Sequence, residues 1–180
     1  MTDVFLERAF ETPLTESDVF AIAEKSGWCF ELHRVDWHGS FLSSDGRRMV
    51  CWFDGPDAES ARLALRKADA DIRVLWSGTV HDAPGTTQAD VAAANVLVER
   101  SFDTPVTLES IQEIEDAASG CLSAHHVQFV RTFFSRDRKR MICLYRAPDA
   151  ESVRVAQRQA DMPVDRVWAF RRVGPETGRG

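Results

Sequence analysis

Cys29 and His33 stand four residues apart, and the same pair returns as Cys121 and His125. Thiolate and imidazole are good ligands for zinc, copper or nickel, so each pair supplies half of a closed four-ligand site. The other reading is a buried small thiol beside a hydrogen-bonded histidine, at a loop-to-strand junction that His33 would open. Glu7 and Glu99 form the second candidate. Each lies mid-strand between apolar residues, and a buried carboxylate needs a partner. If the two face one another, at least one pKa rises or a cation binds between them. If they do not, an ion pair with a strand arginine such as Arg48 or Arg140 satisfies each one. Arg8 and Arg100 cannot be those partners, because neighbouring strand residues point to opposite faces. Cys51 and Cys143 sit among Met, Trp, Phe and Tyr and read as core thiols. Trp76 and Trp168 read as packing residues of a last strand rather than as a ligand cage. His126 stands beside His125 where the first copy has Arg34, and His38 has Val130 as its counterpart. No Gly-x-Gly-x-x-Gly, Walker loop, Gly-x-Ser-x-Gly or His-Glu-x-x-His occurs, and no nucleophile–base–orienter set is visible.

These candidates come in pairs because the chain is written twice. Val4-Phe5-Leu6-Glu7-Arg8-Ala9-Phe10-Glu11-Thr12-Pro13 returns as Val96-Leu97-Val98-Glu99-Arg100-Ser101-Phe102-Asp103-Thr104-Pro105. Arg48-Met49-Val50-Cys51 returns as Arg140-Met141-Ile142-Cys143, and Pro56-Asp57-Ala58-Glu59-Ser60 as Pro148-Asp149-Ala150-Glu151-Ser152. One constant offset carries all three matches without a gap, with roughly a third of positions identical. Two copies of a roughly 75-residue unit mean two similar modules rather than a solenoid.

Each copy predicts strand, helix, strand, strand, helix, strand. Val4 to Phe10 is β-prone and ends at a Thr-Pro turn. Thr15 with Asp18 forms a capping-box pattern, Val19, Ile22 and Ala23 form an apolar stripe, and Gly27 is expected to end the helix. The second copy repeats this with Thr107 as cap and Ile111, Ile114 and Ala118 as stripe. His33 to Ser43 is expected as the second strand, Ser44-Asp45-Gly46 as a tight turn and Arg48 to Phe53 as a strand buried on both faces. Asp57 caps a helix to about Ala68, and Ile72 to Trp76 closes the unit. The order βαββαβ is the ferredoxin-like split motif, a four-stranded sheet with two helices on one face. The other face would be bare and partly apolar. The expected fold is therefore α+β, with two ferredoxin-like units packed sheet to sheet as an intrachain pseudo-dimer. The expected boundaries are 1–80 and 96–173 for the units, 81–95 for a linker whose alanines could add a helical turn, and 174–180 for a disordered tail.

Composition excludes several classes. An apolar share of 44% and a charged share of 28% suit a soluble globular protein, and no apolar run approaches a membrane span. The first residues lack the basic-then-apolar pattern of a secretory signal, so a cytoplasmic location is expected and the four cysteines read as reduced. A net charge of −6 argues against general nucleic-acid binding. Arg136, Arg138, Lys139 and Arg140 cluster on an expected hairpin tip, as a solvated turn or a contact for an acidic partner.

The chain resembles a family of small bacterial ferredoxin-like proteins described as nickel-binding. The resemblance rests on Leu6-Glu7-Arg8-Ala9-Phe10 and Val98-Glu99-Arg100-Ser101-Phe102. It rests also on Met141 to Arg154 and on Met162-Pro163-Val164-Asp165-Arg166-Val167, so that the second copy is the closer match. It implies a fold similar to dimeric α/β barrels. It further implies histidines just before the Ser-aromatic pair of strand two and mid-helix after the Pro-Asp cap. This chain has Gly39 and Arg131 at the first place and Ala64 and Ala156 at the second, so the implied metal site is emptied or moved.

The function expected from these features is a small protein binding a transition metal, nickel or zinc, or a small ligand, in a cleft between the repeats. Glu7, Cys29 and His33 with Glu99, Cys121 and His125 are its candidate ligands. A small-molecule enzyme with Glu7 or His33 as general base, and a scaffold using the basic hairpin, are the alternatives; a homo-oligomer is compatible with all three.

Overall fold

The computed structural model describes residues 1–175, so most of the tail expected to be disordered, 174–180, lies outside the described residues. They form β1 (Thr2–Ala9), α1 (Glu16–His33), β2 (Asp36–Ser43), β3 (Arg48–Gly55), α2 (Ala58–Lys67), β4 (Val74–Asp82) and α3 (Gln88–Ala93). The chain continues through β5 (Val96–Ser101), α4 (Leu108–Ala124), β6 (Gln128–Ser135), β7 (Arg140–Arg146), α5 (Ala150–Gln159) and β8 (Arg166–Val173). This is an α+β fold in which every strand pairs antiparallel and the order βαββαβ occurs twice. Among the described residues no helix is long and apolar enough to cross a membrane.

The described residues form two compact units, Met1–Gly78 with residues 170–175, and Thr79–Ala169. In the first, β1 lies between β4 and β3, and β2 pairs with the far edge of β3. The last residues of β8, Phe170 to Val173, pair with β2 in that unit. In the second, β5 lies between β8 and β7, with β6 beyond β7.

Local sequence explains the elements. Thr15 accepts from the Asp18 amide at 3.2 Å while the Asp18 carboxylate takes the Thr15 amide at 2.7 Å, closing the expected capping box. Asp57 and Asp149 cap α2 and α5 through Ser60 and Ser152, each at 2.7 Å. In both units the residues with odd and even numbers on a strand face opposite ways. Val4 and Leu6 join Val19, Phe30 and Leu65 in the core beneath α1 and α2; Val96 and Val98 join Ile111, Leu122 and Val153 beneath α4 and α5. The residues between them, Phe5 and Leu97, point to the other face and are fully buried as well.

Two expectations are corrected. The helix does not stop at Gly27. It runs on to His33 and ends with Arg34 in the left-handed region at φ 54°, so His33 closes a helix instead of opening a strand. A mid-helix glycine lowers helix propensity by only about 1 kcal/mol relative to alanine, too little to stop a helix with a good cap and buried residues beyond it. Ile114 is exposed; Glu115 takes its place on the buried face of α4, with Ile111, Ala118 and Leu122.

Gly39 follows an irregularity in the β2–β3 ladder and has φ 136°, a conformation side chains rarely adopt. A Cβ there would lie 3.1 Å from the Val173 carbonyl oxygen. Gly39→Ala is expected to cost about 1–3 kcal/mol in urea unfolding. Gly27→Ala, in an open helical site with nothing within 4 Å, is expected to gain about 0.5–1 kcal/mol.

Candidate functional site

The six residues singled out in the sequence do not form one group. Glu7 is on β1, on the face opposite Leu6, while Cys29 and His33 are on α1, which packs over the Leu6 face. The sheet therefore stands between the carboxylate and the Cys–His pair. Glu7 accepts from Trp76 Nε1 at 2.8 Å, and Glu99 accepts from Trp168 Nε1 at 2.8 Å. Glu99 also accepts from Arg166 at 2.8 Å, its cross-strand neighbour on β8. At Glu99 the expected ion pair with a strand arginine is made by Arg166, whose counterpart in the first copy is Val74. The tryptophans pack as expected, with Trp76 stacked 4.5 Å from Phe5, and their indole N–H groups add a hydrogen bond to each carboxylate.

Cys29 and His33 lie one turn apart on one helix face. His33 Nε2 is buried without a hydrogen-bond partner, whereas His125 Nε2 meets Gln159 Oε1 at 2.9 Å. Among the described residues no three of His, Cys, Asp and Glu come together to hold a metal ion. Glu7 does not meet Cys29 and His33 as one ligand group, and Gly39 could take an imidazole only with backbone strain. The four cysteines are unbridged.

The helix-facing side of the strands carries a different constellation, centred on Arg8 and Arg100. In the second unit Arg100 is 1% exposed beneath α4 and α5. It donates to Gln157 Oε1 at 2.7 Å, to the Tyr145 hydroxyl oxygen at 3.0 Å and to the Pro163 carbonyl at 2.5 Å. The Tyr145 hydroxyl passes the chain on, donating to Glu115 Oε1 at 3.0 Å. Thr132 and Cys143 stand beside it at 3.3 Å from one another. Burial raises the Glu115 carboxyl above the ordinary glutamate value, against the pull of Arg100 and the Tyr145 hydrogen bond. Burial also raises the Cys143 thiol, with Arg100 opposing.

The same place in the first unit is hollow. Arg8 corresponds to Arg100, Ser40 to Thr132 and Cys51 to Cys143, but Ala23 stands for Glu115, Phe53 for Tyr145 and Leu65 for Gln157. All six line a cavity of about 160 Å³. The rest of its wall is mostly apolar, chiefly Leu6, Val19, Ile22, Phe30 and Met49, with buried Ser26 among them and exposed Lys25 and Asp69 at the surface. Arg8 is half-buried; its Nε is buried without a hydrogen-bond partner, as is Arg100 Nε in the second unit, and its guanidinium carbon lies 5.0 Å from the Phe10 ring centroid. Burial pushes the Cys51 thiol up to about 11, against the Ser40 hydrogen bond and the Arg8 charge, so it stays protonated at neutral pH. Sequence reasoning passed over Arg8, Arg100 and Glu115. The available signals were a glutamate four after Ile111 and three before Ala118, and the polar-to-apolar exchanges between the copies.

Comparison with known proteins agrees with this architecture. Residues 97–169, most of the second repeat, match the family described as nickel responsive protein SCO4226-like. The resemblance read from the second copy is thereby borne out over that stretch. No curated protein matches the chain. Among solved structures, a candidate chlorite dismutase, TA0507, is similar at 12% identity over 96% of this chain and 94% of its own, with a TM-score of 0.53. A mutant chlorite dismutase from Candidatus Nitrospira defluvii in complex with cyanide is similar at 13% identity over 97% and 90%, with a TM-score of 0.51. At such identities the likeness is one of fold.

The raised carboxyl of Glu115 has a definite pH consequence. A carboxyl that binds its proton more tightly in the native state contributes stability below the unfolded value of 4.5, and this is lost as pH rises through the raised native value. Glu115→Gln removes that loss. The stability of the variant relative to the parent is expected to improve from pH 4.5 to pH 8, measured by urea unfolding at each pH. A thiol reagent is expected to label half-buried Cys121 first in the native protein, and buried Cys51 and Cys143 only on unfolding.

Proposed function

We propose that this chain is a non-catalytic binding protein that takes a small organic ligand into the core of its first repeat. The observation that carries this reading is a largely apolar cavity of about 160 Å³ with an arginine in its wall. In the second repeat Glu115, Tyr145 and Gln157 stand at the positions of Ala23, Phe53 and Leu65 and are hydrogen-bonded in a chain with Arg100. An engineered dry cavity of roughly 150 Å³ is large enough to hold benzene. No nucleophile–base pair accompanies the cavity, since its thiol is held protonated. The sheet-to-sheet pseudo-dimer is part of the same proposal, supported by the gapless duplication.

A second reading rests on the family match over residues 97–169. It makes the chain a binder of a transition metal, nickel or zinc, with Glu7, Cys29, His33, Glu99, Cys121 and His125 as donors. Elemental analysis of untagged protein separates it from the first. One metal per chain, lost on joint Cys29→Ala and His33→Ala substitution, supports it; sub-stoichiometric metal unaffected by those changes rejects it.

The cavity reading is tested with toluene. Saturating toluene is expected to raise the Tm of the parent protein by a few degrees through preferential binding to the native state. Leu65→Trp, which fills the space, is expected to abolish the shift. An unchanged Tm in the parent, with no change in the NMR signals of Val19 and Leu65, would reject the reading.

A further inference from the structure

We infer that the ligand of the first repeat carries a carboxyl group on a compact apolar body of about six carbons, and that Arg8 binds the carboxyl. This rests on the cavity reading above and specifies its chemistry. The second repeat shows what an arginine at this position of the fold requires. Arg100 reaches the carboxyl of Glu115 through the Tyr145 hydroxyl, and Gln157 takes another of its donors. In the first repeat Ala23, Phe53 and Leu65 remove the carboxyl, the hydroxyl and the amide together. The arginine stays. It is half-buried in the wall of the resulting space, and among the described residues no carboxylate pairs with it. Its Nε is buried without a partner, as Arg100 Nε is, but Arg100 has Tyr145, Gln157 and the Pro163 carbonyl at its other nitrogens. A guanidinium facing an apolar space favours an acceptor there, and a carboxylate is the acceptor its planar fork fits best. Ser40 Oγ lies in the same wall, at 3.1 Å from Trp37 Nε1, as a second polar contact.

The apolar body follows from most of the remaining wall. Val19, Ile22, Phe30 and Leu65 have no hydrogen-bonding side chain, and the Ser26 hydroxyl already donates to the Ile22 carbonyl at 2.7 Å, so a sugar, phosphate ester or amino acid would find few partners. A volume of about 160 Å³ suits a benzene-sized group and is far too small for a haem. A small aromatic or branched aliphatic acid meets both demands. In this reading Glu115 is the in-chain equivalent of the ligand's carboxyl group.

Sodium benzoate and toluene, titrated into the full chain and followed by NMR, test the assignment. Benzoate is expected to bind more tightly than toluene and to shift signals of Arg8, Ser40 and Leu65, leaving Arg100, Thr132 and Gln157 unmoved. Arg8→Gln is expected to weaken benzoate by about tenfold or more and leave toluene unchanged. Joint Ala23→Glu, Phe53→Tyr and Leu65→Gln, which installs the network of the second repeat, is expected to abolish benzoate binding in a folded protein. Toluene binding without benzoate binding would overturn the carboxyl assignment while the cavity reading stands. Benzoate binding that Arg8→Gln leaves intact would overturn it equally. Binding of neither molecule would remove both. Because the comparison of the two probes uses the parent protein, the assignment stays testable if a variant fails to fold.

Discussion

A guanidinium set beneath a pair of helices has to be given acceptors. Transfer of such a charge from water costs several kcal/mol even after the surroundings relax, and only hydrogen-bonded oxygen atoms repay it. Strand alternation places Arg8 and Arg100 in this position, because Leu6 and Val98 before them must face the helices to make the cores. The second repeat answers with Tyr145, Gln157, Glu115 and the Pro163 carbonyl, contributed by β7, α5, α4 and the loop before β8. Four separate pieces of chain are thus tied to one side chain, and the network makes the helix pair a fixed lid. The first repeat keeps the arginine and none of these side-chain acceptors.

The same alternation insulates two chemistries from each other. Glu7 and Glu99 occupy the opposite face, where indole N–H groups from the last strand of each repeat hold their carboxylates. Glu99 gains Arg166 besides, and it is nearly fully buried at 8% exposure, while Glu7 is only partly buried. A backbone ladder separates these carboxylates from the helices on the other side. Nothing on α1 can share a ligand with Glu7 unless the sheet opens, and this disfavours a metal centre built from Glu7 with Cys29 and His33.

Much of the fold was legible because the duplication set every element twice, and a cap or turn seen in both copies is stronger evidence than one seen once. Thr15, Asp57, Thr107 and Asp149 all cap helices where their patterns said. The error at Gly27 came from reading a helix-weakening residue as a stop. Capping and the buried Cys29 and Phe30 beyond it outweigh a cost of about 1 kcal/mol. That error carried into the site, since it made His33 a strand residue and left its distance from Cys29 open. Glu115 was missed for a different reason. Helical periodicity assigns a face from apolar residues, and a glutamate on that face is invisible unless its partners are known. Those partners, Arg100, Tyr145 and Gln157, come from three other elements and meet it only in the folded chain. A hollow is harder still, because it is the absence of side-chain volume and no residue announces it.

Comparison of the copies turns that absence into something with a magnitude. Ala23, Phe53 and Leu65 leave about 160 Å³ free where the second repeat carries Glu115, Tyr145 and Gln157. Two of those three larger side chains hydrogen-bond directly to Arg100, and the third is reached through the Tyr145 hydroxyl. In the first repeat the free volume and an arginine without these side-chain partners occur at one point. A single occupant that supplies apolar volume and a carboxyl group would answer both.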